Sequence, residues 1–188
     1  MWANDIYAAL AGYLLSQNGQ DRLEELTSCD HLAAELQKST LCLLSYPDFG
    51  PRQQARDLLE SIVKWALKPG SVRTNNHGLM LAEATLYSLA AFDFATNSVV
   101  AELEEKLFTI IDAAFDETGL CVENSPAYHM FHIRLLRRIL SSGKSDLSPL
   151  HGIAPRIGGL LAKVCSTWPD CTLLKEPILR SIVSWLFM

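Results

Sequence analysis

The sequence predicts an all-α protein, and three observations carry that expectation. Apolar residues recur three and four apart through most of the 188-residue chain, the period of an amphipathic helix. Strand-like alternation is almost absent. Many of the prolines and glycines, such as Gly19, Pro47, Pro69-Gly70 and Pro126, sit at the ends of apolar blocks, where they bound helices. Short polar turns between the blocks imply antiparallel helical hairpins. No repeat of roughly 33–47 residues with a fixed signature recurs, which disfavours tetratricopeptide and ankyrin arrays.

Taken in order, residues 5–17 predict a first helix with Ile6, Leu10, Tyr13 and Leu14 on its apolar face, ended by Asn18-Gly19. Residues 31–45 form a second, stopped by Tyr46-Pro47. A third runs from Pro51 to Leu67 with Leu58, Leu59, Ile62 and Trp65 inward, and Pro69-Gly70 closes it. A fourth spans about 77–95 and a fifth about 98–115; a sixth opens at Ser125-Pro126; two more fill 150–168 and 173–187. Only Thr118–Glu123 has room for a short extended piece.

The fourth and fifth helices differ in kind. The fifth is amphipathic, with Val99, Leu103, Leu107, Ile110 and Ala114 on one face and Glu102, Glu104, Glu105 and Asp112 on the other. The fourth carries a single charge, Glu83, between Leu79 and Phe92. A helix apolar nearly all round is enclosed, and this one is too short to cross a bilayer. The expected architecture is therefore two layers, an inner fourth helix covered by the fifth.

Composition excludes several classes of function. Hydrophobic residues make up 49% and charged residues 20%, which rules out a disordered chain. The length suits one domain, residues 1–188, able to bury a core without disulfides or metal. A net charge of −5 without a concentrated basic face argues against nucleic acid. No run of about 18 apolar residues is present, so no membrane span is expected. Met1–Asp5 has no basic n-region, so no secretory signal is expected.

The cysteines Cys29, Cys42, Cys121, Cys165 and Cys171 form no CxxC pair, which disfavours a zinc ribbon or thioredoxin-like site. Cys42 and Cys165 read as small core residues, and Cys165 and Cys171 are near enough in sequence to pair in an oxidising compartment. His129 and His132 have a spacing that metal ligands use, with Glu123 and His77 as further candidates, but the helix explains both residues otherwise. No metal and no cofactor is expected. His31 and His151 stand beside helix starts with no signal separable from capping or a surface role. Arg73, Arg134, Arg137, Arg138 and Arg156 could line a groove, but a charge run on a helix is usually a solvated face, and no role beyond substrate steering is assigned to them.

Two segments place polar groups where an apolar helix begins. Arg73-Thr74-Asn75-Asn76-His77-Gly78 precedes the fourth helix. One Asn is ordinary capping, in which the side-chain oxygen accepts a free backbone N–H. A second amide followed by His and Gly goes beyond that, and an amide, an imidazole and a helix N-terminus together suit a carboxylate. The other segment runs from Asp116 to His129. In it Ser125 is a good N-cap, Pro126 a good first helical residue, and Tyr128 falls in the first turn, with His132 one turn further on the same side. A phenol there is open to two readings, an acid–base group or a ring packed under the helix start.

Asn76-His77-Gly78 at the head of an apolar helix, followed by Gly119-x3-Glu123-x-Ser125-Pro126-x-Tyr128-His129, resembles the helical domain of the heparinase II/III and alginate lyase superfamily. The match is clearest over 60–142. The resemblance implies an incomplete (α/α) toroid of helical hairpins, normally followed by an antiparallel β-sandwich domain. It implies β-elimination on uronic-acid polysaccharides, in a periplasmic or secreted setting. Asn76 would bind and neutralise the uronate carboxylate with His77 beside it, and Tyr128 would act as general acid, or as acid and base both. Glu123 and His129 match motif positions and would support the site, with Asn75, Arg73 and His132 as neighbours in substrate binding.

That family usually draws a further catalytic His or Tyr from the β-sandwich, and no strand-rich stretch occurs in these 188 residues. The helix at 173–187 also stops abruptly at Trp185-Leu186-Phe187-Met188. The expectation is a fragment or truncated relative, incomplete alone and completed by a C-terminal β-sandwich domain. The alternative is a non-catalytic module that binds acidic glycans or serves as a structural helical unit.

Overall fold

The computed structural model describes residues 2–16, 19–27, 29–91, 97–122, 125–142 and 153–167. The described elements are all helices: α1 (Trp2–Leu15), α2 (Gln20–Thr27), α3 (Asp30–Leu44), α4 (Arg52–Ala66), α5 (Asn76–Ala91), α6 (Asn97–Ala114), α7 (Pro126–Ser142) and α8 (Ile153–Thr167). The all-α expectation holds for them. The helix expected at 173–187 lies outside the described residues, as do Cys171 and His151. By its contacts the chain divides into two compact units, Met1–Arg73 with His77–Leu103, and Thr74–Asn76 with Glu104–Met188.

In the first unit α1 packs on α2 and α4, α2 on α3, and α3 on α4. Their core joins Tyr7, Ala11 and Leu14 of α1 to Ala33 and Ala34 of α3, Leu58 and Ile62 of α4, and Leu81 and Ala84 of α5. Each large aliphatic side chain fully withdrawn from water contributes about 1.5–3 kcal/mol, so docking outweighs helix propensity here. The loop after α3 is fastened by the Arg52 guanidinium, which donates to the carbonyl of Leu44, the last residue of that helix, and to those of Tyr46 and Pro47 in the loop.

Three details differ from the sequence expectation. α2 was not foreseen, because Gln20–Thr27 offers only Leu23 and Leu26 as apolar residues, too few for periodicity to register. Leu23 is buried and docks the element. In α1 the inward face is Tyr7, Ala11 and Leu14, whereas Ile6, Leu10 and Tyr13 stand exposed. Two apolar stripes compete along that helix, and size alone favours the wrong one: the small Ala11 allows close approach to α4, and Tyr7 settles edge-on against Phe49 with ring centroids 5.1 Å apart. Cys42 is exposed and is not a core residue.

α5 meets the expectation of an enclosed helix. Leu79, Leu81, Ala82, Glu83, Ala84, Thr85, Leu86, Ser88 and Leu89 are all buried, so every side of it is covered. Burial of its polar groups is tolerable because α3 supplies partners. Gln37 donates through Nε2 to Thr85 Oγ1 at 3.3 Å and accepts from Ser88 Oγ at 2.8 Å. Lys38 Nζ reaches Glu83 Oε2 at 3.0 Å, so the one charge on the helix is ion-paired.

The second unit holds the C-terminal part of α6 together with α7 and α8, and α7 packs on α8. Leu107, Ile110, Ile133, Leu136, Ile139, Ile157 and Leu161 are wholly or almost wholly buried there. Arg156 of α8 pairs with Asp112 and lies 4.7 Å from the centroid of Phe108 while remaining exposed, as a solvated face requires. The α6 faces follow the sequence pattern, with Leu103, Leu107, Ile110 and Ala114 buried and Glu102, Glu105 and Asp112 exposed. No helix among the described residues is long and apolar enough to cross a membrane.

Candidate functional site

The head of α5 is built by backbone packed on backbone. Asp30, the first residue of α3, is 2% exposed and accepts the Arg73 N–H through Oδ2 at 3.0 Å. That bond ties the start of one helix to the approach of the other. Arg73 then crosses so close to α5 that a Cβ on Gly78 would overlap its carbonyl, which is backbone and cannot swing away. Glycine after His77 is thus a packing requirement. Asn75 and Asn76 are half-buried, while Arg73 and His77 are exposed. The His77 ring lies beside that of His31, with centroids 5.6 Å apart and planes tilted by 34°. No acidic residue occupies the first turn of α5, so the positive end of that helix is not neutralised from within.

The head of α7 is built by a tight hairpin. Phe115 and Cys121 form an isolated antiparallel bridge, which is what the expected extended piece at Thr118–Glu123 amounts to among the described residues. Asp116 N–H donates to the Leu120 carbonyl, Gly119 N–H to that of Asp116, and Val122 N–H to that of Ala114. Asp116 Oδ1 accepts from the Thr118 hydroxyl at 2.7 Å and from the N–H groups of Thr118 and Leu120. These bonds hold its carboxyl below the usual carboxylate range, the Thr118 hydroxyl most and the Leu120 N–H next. Gly119 turns the chain at a φ of +84°, and a Cβ there would press on Lys163 Cβ at 3.2 Å. Conformation and space both require glycine.

Two buried histidines close the hairpin onto α7. His129 Nδ1 accepts the Cys121 N–H at 3.1 Å, which assigns it the tautomer protonated on Nε2. His132 Nδ1 lies 2.8 Å from the Tyr128 carbonyl and must donate to it, which assigns the opposite tautomer. The Phe115 ring meets both imidazoles edge-on, at 6.0 and 5.7 Å. Burial lowers the basicity of His129, and the neighbouring His132 lowers it further. The His129 N–H completes the first turn of α7 by donating to the Ser125 carbonyl at 2.9 Å.

The predicted site residues therefore separate by role. Tyr128 is 47% exposed, and its hydroxyl makes no hydrogen bond among the described residues, so the ring is not packed under the helix start. His132 shares its helix turn but is wholly buried and folds back to the backbone. Glu123 lies outside the described residues. His77 counts with the first unit, Asn76 and Tyr128 with the second. Among the described residues no group of three His, Cys, Asp or Glu side chains is arranged to hold a metal ion. The sequence reading missed Asp30 and His31 at this end of α3, because an Asp-His pair at a helix start looks like capping. The signal that finds them is spatial: Asp30 bonds Arg73, and the His31 ring meets that of His77. Comparison with family models, with curated proteins and with solved structures found no match to this chain.

Proposed function

We propose that this chain forms the helical wall of a uronate-polysaccharide lyase cleft, a segment of an (α/α) toroid that works with a β-sandwich domain facing it. The observation that carries this reading is how the motif residues divide. Gly78, Gly119 and His129 are consumed by packing and hydrogen bonding, whereas His77 and Tyr128 keep their side chains exposed at the first turns of α5 and α7. A purely structural motif would have no need to leave those two unburied.

In this scheme Asn76 and His77 hydrogen-bond the uronate carboxylate. The C5 proton is weakly acidic because the adjacent carboxylate already carries charge. Donors that bind the developing aci-carboxylate more tightly than the ground state lower the barrier to its removal. A base takes the C5 proton, and Tyr128 delivers a proton to O4 as the glycosidic bond breaks. The test is ultraviolet detection of the unsaturated product from alginate and heparan sulfate, using a protein that joins this chain to its sandwich domain. Activity that survives Tyr128→Phe removes Tyr128 from the chemistry, and absence of product from every uronate polymer removes the lyase reading.

All described elements are helical, so the groups this family draws from its sandwich are not among them. That favours a second reading for the chain by itself, binding of acidic oligosaccharide without cleavage. Calorimetry that records uronate binding with no turnover distinguishes the two.

A further inference from the structure

We infer that the hairpin between α6 and α7 is an acid-released latch: a proton taken up by His129 frees it from the head of α7 while the helices stay packed. The inference is independent of the uronate reading.

The latch lies in the atom that accepts. Within the hairpin, hydrogen bonds end on oxygen: Asp116 N–H on the Leu120 carbonyl, Gly119 N–H on that of Asp116, Val122 N–H on that of Ala114, and the Thr118 hydroxyl on Asp116 Oδ1. None of these oxygens takes up a proton near neutral pH. The bond that crosses to α7 differs in kind, because the Cys121 N–H ends on a ring nitrogen, His129 Nδ1, at 3.1 Å. A neutral imidazole has one lone pair, and here the Cys121 N–H occupies it. A proton can therefore enter only at Nδ1, where two N–H groups would face each other. The closed hairpin and the charged ring exclude one another.

The surroundings do not offset that conflict. His129 is 3% exposed. On its own helix, His132 donates from Nδ1 to the Tyr128 carbonyl, and its Nε2 is buried with no hydrogen-bond partner among the described residues, so no bond joins the two rings. The Cys121 thiol lies beside that same Nδ1, at 3.8 Å. From the end of α6 comes the apolar ring of Phe115. From α8, Lys163 lies against the turn at Gly119 and carries the same sign as a charged imidazole. Asp116 alone favours the charged ring, and burial and then His132 outweigh it.

Release is local. The core shared by α6, α7 and α8, with Leu107, Ile110, Ile133, Leu136, Ile157 and Leu161, is aliphatic and indifferent to protons. The hairpin has no such reserve: so short a pairing is marginal in water by itself, so its amides open together once it is unfastened. The opening reaches the first turn of α7, where the His129 N–H donates to the Ser125 carbonyl at 2.9 Å and Tyr128 stands exposed.

The test is amide deuterium exchange of the full chain, read by magnetic resonance at about pH 7.5 and about pH 5.5 and corrected for the chemical exchange rate at each. The expected result is a several-fold loss of protection at Asp116, Gly119, Cys121 and Val122, up to about tenfold for one proton, setting in as pH falls below the ordinary histidine value of 6.5. Leu135 and Leu136 in the middle of α7 should hold theirs within about twofold. His129→Asn keeps an acceptor and does not titrate, so its hairpin should be protected equally at both pH values. The inference is overturned if the wild-type hairpin keeps its protection in acid, if Leu135 and Leu136 lose theirs in parallel, or if His129→Asn responds as the wild type does. Should that variant not fold, long-range proton–nitrogen spectra of the wild type decide, because a His129 ring already protonated on Nδ1 at the higher pH also overturns it.

Discussion

Two pairs of histidines, one on α7 and one shared between the first turns of α3 and α5, stand in contrasting surroundings. His129 and His132 are buried behind Phe115, each with Nδ1 committed to backbone, and together they fasten the hairpin to α7. His77 is exposed at the start of α5, and His31 meets it ring to ring across from α3. The same side chain is buried and fastening at His129 and His132, and exposed at His77. What decides is where the ring stands. Buried with its Nδ1 on backbone, an imidazole holds structure; at the start of a helix whose first turn carries no acidic residue, the His77 ring stays exposed.

That contrast can be broken by mutation. The largest effect belongs to the fastened pair. His129→Ala leaves the buried Cys121 N–H without its acceptor and opens a cavity, and should lower stability by about 3 kcal/mol in urea unfolding. His77→Ala should cost no more than about 0.5 kcal/mol, the usual cost of an exposed substitution. Equal losses at the two positions would erase the distinction. Next is Gly78→Ala, which sets a methyl group against the Arg73 carbonyl and should cost about 1–3 kcal/mol by thermal melting. A neutral result would show that the approach to α5 is not packed as described.

Acid sharpens the comparison. His129 is less basic in the fold than the ordinary histidine value of 6.5, because burial and then His132 disfavour its charged form. The unfolded chain therefore takes up that proton first. The stability His129 contributes is whole above pH 6.5 and drains away as pH falls below it toward the lowered folded value. Asp116, held below the usual carboxylate value of 3.8, adds a second loss only in far stronger acid. His129→Asn keeps an acceptor near Nδ1 and does not titrate. Its melting temperature should depend less steeply on pH between about 5 and 6.5 than that of the wild type, and an unchanged slope would mean that the charge is taken up elsewhere. The smallest effect is that of Tyr128→Phe on stability, expected within about 0.5 kcal/mol because the hydroxyl has no partner to lose among the described residues.

Much of this was legible in the sequence, for reasons that differ by element. α5 announced its burial because so long an apolar run with a single charge has no face to turn to water, and the charge proved to be paired to Lys38. α6 announced its faces through carboxylates opposite leucines. α1 misled because Tyr7 and Ala11 are less apolar than Ile6 and Leu10, yet shape and not hydropathy chose the packed face. The candidate site was half legible. Spacing put Asn76, His77 and Tyr128 at helix starts, but nothing local to Asp30-His31 could say that residues over forty positions away would meet them. Such a meeting is a product of tertiary folding, and a pattern read within one helix does not contain it.

The hairpin between α6 and α7 has one more consequence. Its amide hydrogens at Asp116, Thr118, Gly119, Leu120, Cys121 and Val122 are all engaged, although the segment is a connection and much of it faces water. In deuterium exchange it should behave as a small cooperative unit with the first turn of α7, opening as one body and not fraying residue by residue. For anyone wishing to graft a reporter or introduce a protease site between these helices, it is a connection to leave alone.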